Sequence, residues 1–144
     1  MRQHPQTYAI TAITNNRRRL FQRAEIADRF IATLFRYRDA HRFLLHGFVV
    51  MPDHIHTILT PAEDHTIERC VQLIKGGFSF AIRQDVNGAI WQEGYYAHRV
   101  TDDEDLRNQF QYILSNPIRK RYTDYPYIHT AEPYATCLNS PPNI

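Results

Sequence analysis

The sequence predicts an α+β fold, an antiparallel sheet layered against helices, on three observations. Segments rich in β-branched and aromatic residues alternate with segments of helical periodicity. A Pro-Asp turn joins two strands directly, and the 144 residues carry no repeat or low-complexity stretch. Thr7 to Thr14 (TYAITAIT) reads as the first strand. From Ala24 to about His41, Ile26, Ala27, Phe30, Ile31 and Leu34 recur on one helical face. Phe43 to Val50 is mostly apolar and reads as a central strand, and Met51-Pro52-Asp53 turns it back into a third strand, His54 to Thr60. A second helix is expected from about Thr66 to Gln84, with Ile67, Cys70, Val71, Ile74, Phe78 and Ile82 inward. Gly76-Gly77 within it predicts a kink or a close approach of a neighbour. Asn87-Gly88 is a turn, and Tyr95 to Val100 a fourth strand.

Thr101-Asp102-Asp103-Glu104 reads as a capping box that starts a third helix, with acidic residues at the positive end of its dipole. Leu106, Phe110, Ile113 and Leu114 form its expected packing arc, and Asn116-Pro117 its expected end. The order β-α-β-β-α-β-α describes a ferredoxin-like split βαβ sandwich, a four-stranded antiparallel sheet with one added helix. One domain is expected over 1–144, with 123–144, rich in Pro and Tyr, as an irregular C-terminal segment.

Composition excludes several classes. No apolar run approaches the roughly 20 residues of a membrane helix, the longest being Phe48 to Met51. The N-terminus has no apolar segment behind its charge, and Cys70 and Cys137 suggest neither a zinc knuckle nor a disulfide framework, so a cytoplasmic protein is expected. Net charge is only +2, but fifteen of the seventeen cations are Arg, whose planar fork matches phosphate oxygens. Arg17, Arg18 and Arg19 follow the turn signal Asn15-Asn16, which places them with Arg23 on an exposed loop suited to phosphate contact. A merely solvated basic surface is the alternative.

Two constellations carry chemistry. His54 and His56 sit two apart on a strand, so both imidazoles project from one face while Ile55 points away. Together they make half of a metal site and are expected to face a cleft rather than the core. With eight histidines in the chain, a chance H-x-H pair on an exposed strand is the alternative. The second constellation is Tyr112 and Asn116, one turn apart on the third helix and about a third of a turn from its packing arc. The Tyr112 phenol could act as a nucleophile if a metal or donors stabilise its phenolate, and Asn116 offers a neutral oxygen to the same region. An ordinary half-buried tyrosine is the alternative.

Met51-Pro52-Asp53-His54-Ile55-His56, then Trp91-Gln92 with an aromatic at Tyr95, then Tyr112-Ile113-Leu114-Ser115-Asn116-Pro117-Ile118-Arg119 resemble the signature of the single-tyrosine HUH transposases. The branch they resemble is that of the REP-associated tyrosine transposases, where Trp-Gln and Tyr-Ile-x-x-Asn-Pro occur together. The resemblance runs from Tyr8 to about Tyr125. It implies a transposase, a single-strand DNA endonuclease and strand transferase acting on single-stranded DNA beside a hairpin. It also implies that Tyr112 is the nucleophile, forming a 5′-phosphotyrosine intermediate, and that His54, His56 and Asn116 bind Mg²⁺ or Mn²⁺. Arg17, Arg18, Arg19, Arg23, Lys75 and Arg119 are the candidate DNA contacts. Lys120-Arg121 stand where the family often has Ala-Gly, so the loop after the catalytic helix is expected to differ in path. No membrane partner is implied, and monomer and homodimer both remain open. The rival readings are a non-catalytic or domesticated nucleic-acid-binding module of the same fold, and a zinc hydrolase, for which no HExxH is present.

Overall fold

The computed structural model describes residues 5–119, 129–130 and 138–140, the side chains of 116–119 and 129–130 excepted. Along the chain run β1 (Tyr8–Ile13), α1 (Ala24–Asp39), β2 (Phe43–Met51), β3 (His54–Pro61), α2 (Ile67–Ala81), β4 (Tyr96–Arg99), α3 (Asp103–Arg119) and β5 (His129–Thr130). The strands lie in the order β4-β1-β3-β2-β5, each adjacent pair antiparallel. The first four make the ferredoxin-like sheet that the sequence predicts. The two-residue β5 pairs with Val49 and Val50 and falls inside the segment expected to be irregular. The rest of that segment lies outside the described residues, apart from 138–140.

Alternation along the strands gives the sheet two unlike faces. One face carries Ile10, Ala12, Phe48, Val50, Ile55 and Leu59 against α1 and α2. Phe21, Phe30, Phe78 and Trp91 interlock beneath it, with Phe30 edge-on to Phe78 at 5.4 Å and Trp91 5.6 Å from Phe78. On α2, the Thr66 hydroxyl caps the Arg69 N–H at 3.1 Å. The helix ends at Ala81, short of the expected Gln84, although Ile82 stays buried. Gly77 is the close approach expected within α2: a Cβ there would lie 2.5 Å from the Tyr37 hydroxyl of α1.

The opposite face is covered by α3. Ile113, with Leu106 and Phe110, packs on Val49, Met51 and Ile58. Three expectations for this helix need correction. Its cap sits one residue later than predicted: Asp102 Oδ1 accepts the Asp105 N–H at 2.7 Å, and Asp105 Oδ2 accepts the Thr101 N–H at 2.9 Å. Leu114 is 50% exposed, because the sheet-facing stripe is only as wide as Leu106, Phe110 and Ile113, and Leu114 lies about 100° round from Ile113. The helix also runs through Pro117 to Arg119. Proline's fixed φ is itself helical, so α3 loses the bond to the Ile113 carbonyl without losing its path.

A bulge between Leu45 and Gly47 shapes β2 where α3 crosses it. A Cβ at Gly47 would stand 2.9 Å from Phe110 Cε1, so glycine forms the notch that receives the phenyl ring. Beside it, buried His46 lies 2.8 Å from the Thr60 hydroxyl through Nε2 and 3.0 Å from the Asn139 carbonyl through Nδ1. Thr7 lies 2.7 Å from Thr60, so the chain Thr7, Thr60, His46, Asn139 closes a buried polar row.

Gly47→Ala is expected to cost about 1–3 kcal/mol in a urea melt by overpacking against Phe110. Part of that loss should return in a Gly47→Ala, Phe110→Leu double variant; strictly additive losses would contradict the notch. Burial holds the His46 pKa below the ordinary 6.5, outweighing the Asn139 carbonyl that raises it. The unfolded chain therefore binds this proton first, and stability is full above the ordinary value and declines as pH falls toward the folded one. Thermal melts between pH 7.5 and 5 should show a steeper acid loss for wild type than for His46→Gln.

Candidate active site

The centre of the site is a strand row on the α3 side of the sheet. His54 and His56 project from β3 on that side, while Ile55 is buried on the other. The register pairs Ile13 with His54 and Thr11 with His56, and Thr11 in turn with Tyr96 of β4. The two imidazole centroids are 5.0 Å apart with planes at 86°. Each ring is held from behind through Nδ1: His54 by the Asp53 carboxylate at 2.7 Å, His56 by the Thr11 hydroxyl at 2.8 Å. With Nδ1–H donating to those oxygens, each Nε2 carries the lone pair, the arrangement by which outer partners orient metal-binding histidines. Both residues are only 4% exposed, more buried than the open cleft expected from sequence. Tyr112 of α3 contributes to that cover, its ring packing edge-on against His56.

Tyr112 reaches the row from α3. It is 48% exposed, and its ring centroid lies 5.9 Å from that of His56 with planes at 86°. His54, His56 and Tyr112 line one cleft of about 280 Å³, which Thr11, Ile13, Arg17 and Tyr96 complete. Asn116 follows one helical turn after Tyr112 on the α3 backbone, and Arg119 ends the helix. The side chains of both lie outside the described residues.

Asp53 joins the histidine row to the basic loop. Its second oxygen meets Arg17 Nη1 at 3.3 Å. Burial raises the Asp53 pKa, but the hydrogen bond from His54 and the Arg17 guanidinium outweigh it, leaving the carboxyl below its usual range. The loop itself is tied to the β2–β3 turn, since the Thr14 N–H donates to the Asp53 carbonyl at 3.0 Å. Asn16 and Arg17 both have left-handed backbone, φ 54° and 51°. Two successive residues in this region are costly without glycine, and such strain concentrates at functional sites.

The candidate DNA contacts separate into kinds. Arg17 lines the cleft, and Arg19 and Arg23 are exposed, Arg23 beside Glu25 at 3.0 Å. Arg18 instead donates to the carbonyls of Asn87 and Ala89 at 2.8 and 3.1 Å, clasping the loop that leads to β4. Lys75 does likewise, donating to the carbonyls of Gln92 and Gly94 and lying 5.9 Å over the Trp91 ring, with its pKa lowered by burial. Trp91, partly buried, packs against the core and the Gln92 N–H donates to the Ile13 carbonyl at 2.9 Å, so the Trp-Gln pair secures β1 rather than lining the cleft. Thr11 and Tyr96 are cleft residues that sequence reasoning did not single out. The Tyr95-Tyr96 pair was a visible aromatic signal, but only the register says which of the two faces the cleft.

Among the described residues no group of three or more His, Cys, Asp or Glu side chains could hold a metal ion. The two Nε2 atoms nonetheless fit a divalent ion that takes further donors elsewhere, and imidazole suits Mn²⁺ better than Mg²⁺. Among the described residues no helix is long and apolar enough to cross a membrane.

Comparison with known proteins agrees with this arrangement. The family model described as "Transposase IS200 like" matches residues 3–116. A REP-associated tyrosine transposase of Escherichia coli (strain K12) is 30% identical over 90 residues, 59% of this chain and 53% of the relative. A Haemophilus influenzae relative described under the same family name is 28% identical over 94 residues, 54% of this chain and 53% of the relative. The chain thus spans about half the length of the curated relatives it matches. A solved structure of a REP-associated tyrosine transposase bound to a REP hairpin has the same fold, with a TM-score of 0.76 at 23% identity over 97% of this chain and 87% of that one. With a family model spanning most of its length, and with the sheet order, histidine pair and tyrosine helix in place, the chain belongs to the IS200-like transposases.

Proposed function

We propose that residues 1–144 act as a single catalytic domain that cleaves and rejoins single-stranded DNA next to a hairpin, in the cytoplasm, with Tyr112 as nucleophile. The observation that carries this reading is the Tyr112 ring set 5.9 Å from His56 in the cleft that also holds His54. The Tyr112 oxygen attacks the scissile phosphorus, the bond from phosphorus to the 3′ oxygen breaks, and a 5′-phosphotyrosine link forms. The phenol gives up its proton, and the released 3′ oxygen takes one up as a hydroxyl. One phosphate ester replaces another, so the 3′-OH of a second strand can reverse the step without ATP. His54, His56 and Asn116 would hold a divalent ion, Mn²⁺ or Mg²⁺, which when bound supplies Lewis-acid polarisation of the phosphate. Asp53 and Thr11 keep the two imidazoles in the required tautomer and orientation. Arg17 places a guanidinium at the cleft wall for the phosphate charge, and Arg19, Arg23 and Arg119 extend the contact to the strand. The REP hairpin bound by the structural relative supports hairpin DNA as substrate.

The test uses an oligonucleotide labelled on the 3′ side of the cut, run under denaturing conditions after incubation with Mn²⁺. Wild type should give a shifted, labelled protein band that chelator abolishes. Tyr112→Phe should give none while changing stability by no more than about 1 kcal/mol, the typical net value of one hydrogen bond. A shifted band with the Phe variant would place the nucleophile elsewhere, and no band with wild type would favour a binding module. Arg17 and Arg18 should part company in the same preparation. Arg17→Ala should weaken DNA binding and lower the salt slope by roughly 0.7. Arg18→Ala should instead lower the melting temperature, with a loss of about 1 kcal/mol from its two carbonyl contacts. Equal effects on the salt slope would show the basic loop acting as one undivided surface.

A further inference from the structure

The geometry points to Tyr96 as the platform on which a nucleobase beside the scissile phosphate stacks. This rests on the reading of the cleft as a site for single-stranded DNA. Tyr96 is an aromatic residue on a sheet, yet it is 65% exposed. Its neighbour Tyr95, on the opposite side of the chain, packs against the main core. A ring that served only the fold would be covered in the same way. Tyr96 instead lines the cleft with His54, His56 and Tyr112.

Its position follows from register. His56, Thr11 and Tyr96 form one cross-strand row on β3, β1 and β4, so Tyr96 stands two strand spacings, roughly 10 Å, from His56. A phosphate held at the histidines would leave room for the attached nucleoside to extend over Thr11 toward that ring. Among the described residues β4 is the edge of the sheet and all four of its residues are exposed, which leaves that side open to an entering strand. The other walls offer a guanidinium at Arg17, imidazoles at His54 and His56 and, on α3, the Tyr112 ring. The proposed reaction uses that ring for attack, and it stands on the far side of the histidines from β4 in no strand row. Tyr96 is thus the cleft's exposed aromatic face on the edge-strand side, and an aromatic face receives any base, since every base has a π-face.

Fluorescein-labelled dT12 and a 12-mer abasic backbone of the same charge serve as probes, titrated by anisotropy in chelator with the full chain. Tyr96→Ala should bind dT12 about 5- to 150-fold more weakly than wild type, the range measured for loss of one base–aromatic stack. Tyr96→Phe should stay within about twofold, because the ring and not the hydroxyl stacks. On the abasic backbone all three proteins should bind alike. Unchanged dT12 affinity in Tyr96→Ala, or an equal loss on both probes, overturns the stacking role. The covalent adduct of wild type, measured separately, decides the reading of the cleft. An adduct with an unaffected Tyr96→Ala would remove the stacking inference alone.

Discussion

The seating of α3 on the sheet is the contact on which the geometry of the candidate site depends. Tyr112 and the histidines come from different elements, and nothing local in either chain segment brings them together. The apolar patch that does so is small: Ile113, Phe110 and Leu106 on the helix against Val49, Met51 and Ile58. The covalent step proposed for Tyr112 would lose rate steeply if the reacting groups were misplaced by even about an ångström. The patch is accordingly backed by two devices that set its position. Phe110 drops into the notch at Gly47, and His98 of β4 grips Asp105 in the first turn through both carboxylate oxygens, at 3.0 and 2.8 Å.

Asp53 plays the corresponding part for the polar half of the site. One oxygen orients His54 and the other holds Arg17, so a single buried-side carboxylate couples the β2–β3 turn, the histidine row and the strained basic loop. The two histidines are not equivalent in this respect. His54 is backed by a negative charge and His56 by a neutral hydroxyl, which makes the His54 ring the stronger donor to any cation.

The two faces of the sheet divide the work. The α1–α2 face is a conventional aromatic and aliphatic core. The α3 face carries polar groups at both ends, separated by the small apolar patch: the His54, His56, Thr11 row at one end and the His46, Thr60, Thr7 row at the other. The second row pairs each polar atom with another protein group and anchors Asn139 to the bulged edge of β2. Both rows contain buried histidine, and the first adjoins a cleft lined by a tyrosine from α3.

Sequence alone determined the order of the first seven elements and the ferredoxin-like sheet, and it singled out His54, His56 and Tyr112 for attention. These depend on short-range periodicity, which a chain expresses within a few residues: two for a strand, about 3.6 for a helix. The Thr101–Glu104 cap and the inward Leu114 failed by one residue each, because a helix start and the edge of a packing stripe are chosen by partners outside the helix. Tertiary structure alone decided the rest. Arg17 faces the cleft while Arg18 and Lys75 clasp the 87–94 loop, although all three are cations in basic or amphipathic surroundings. Tyr96 and not Tyr95 shares a row with His56, because β4 pairs with β1 in a register set by contacts far apart in the chain. A register shift of one residue exchanges the faces of every side chain on a strand, and no local pattern records which of the two neighbouring tyrosines will be turned toward the site.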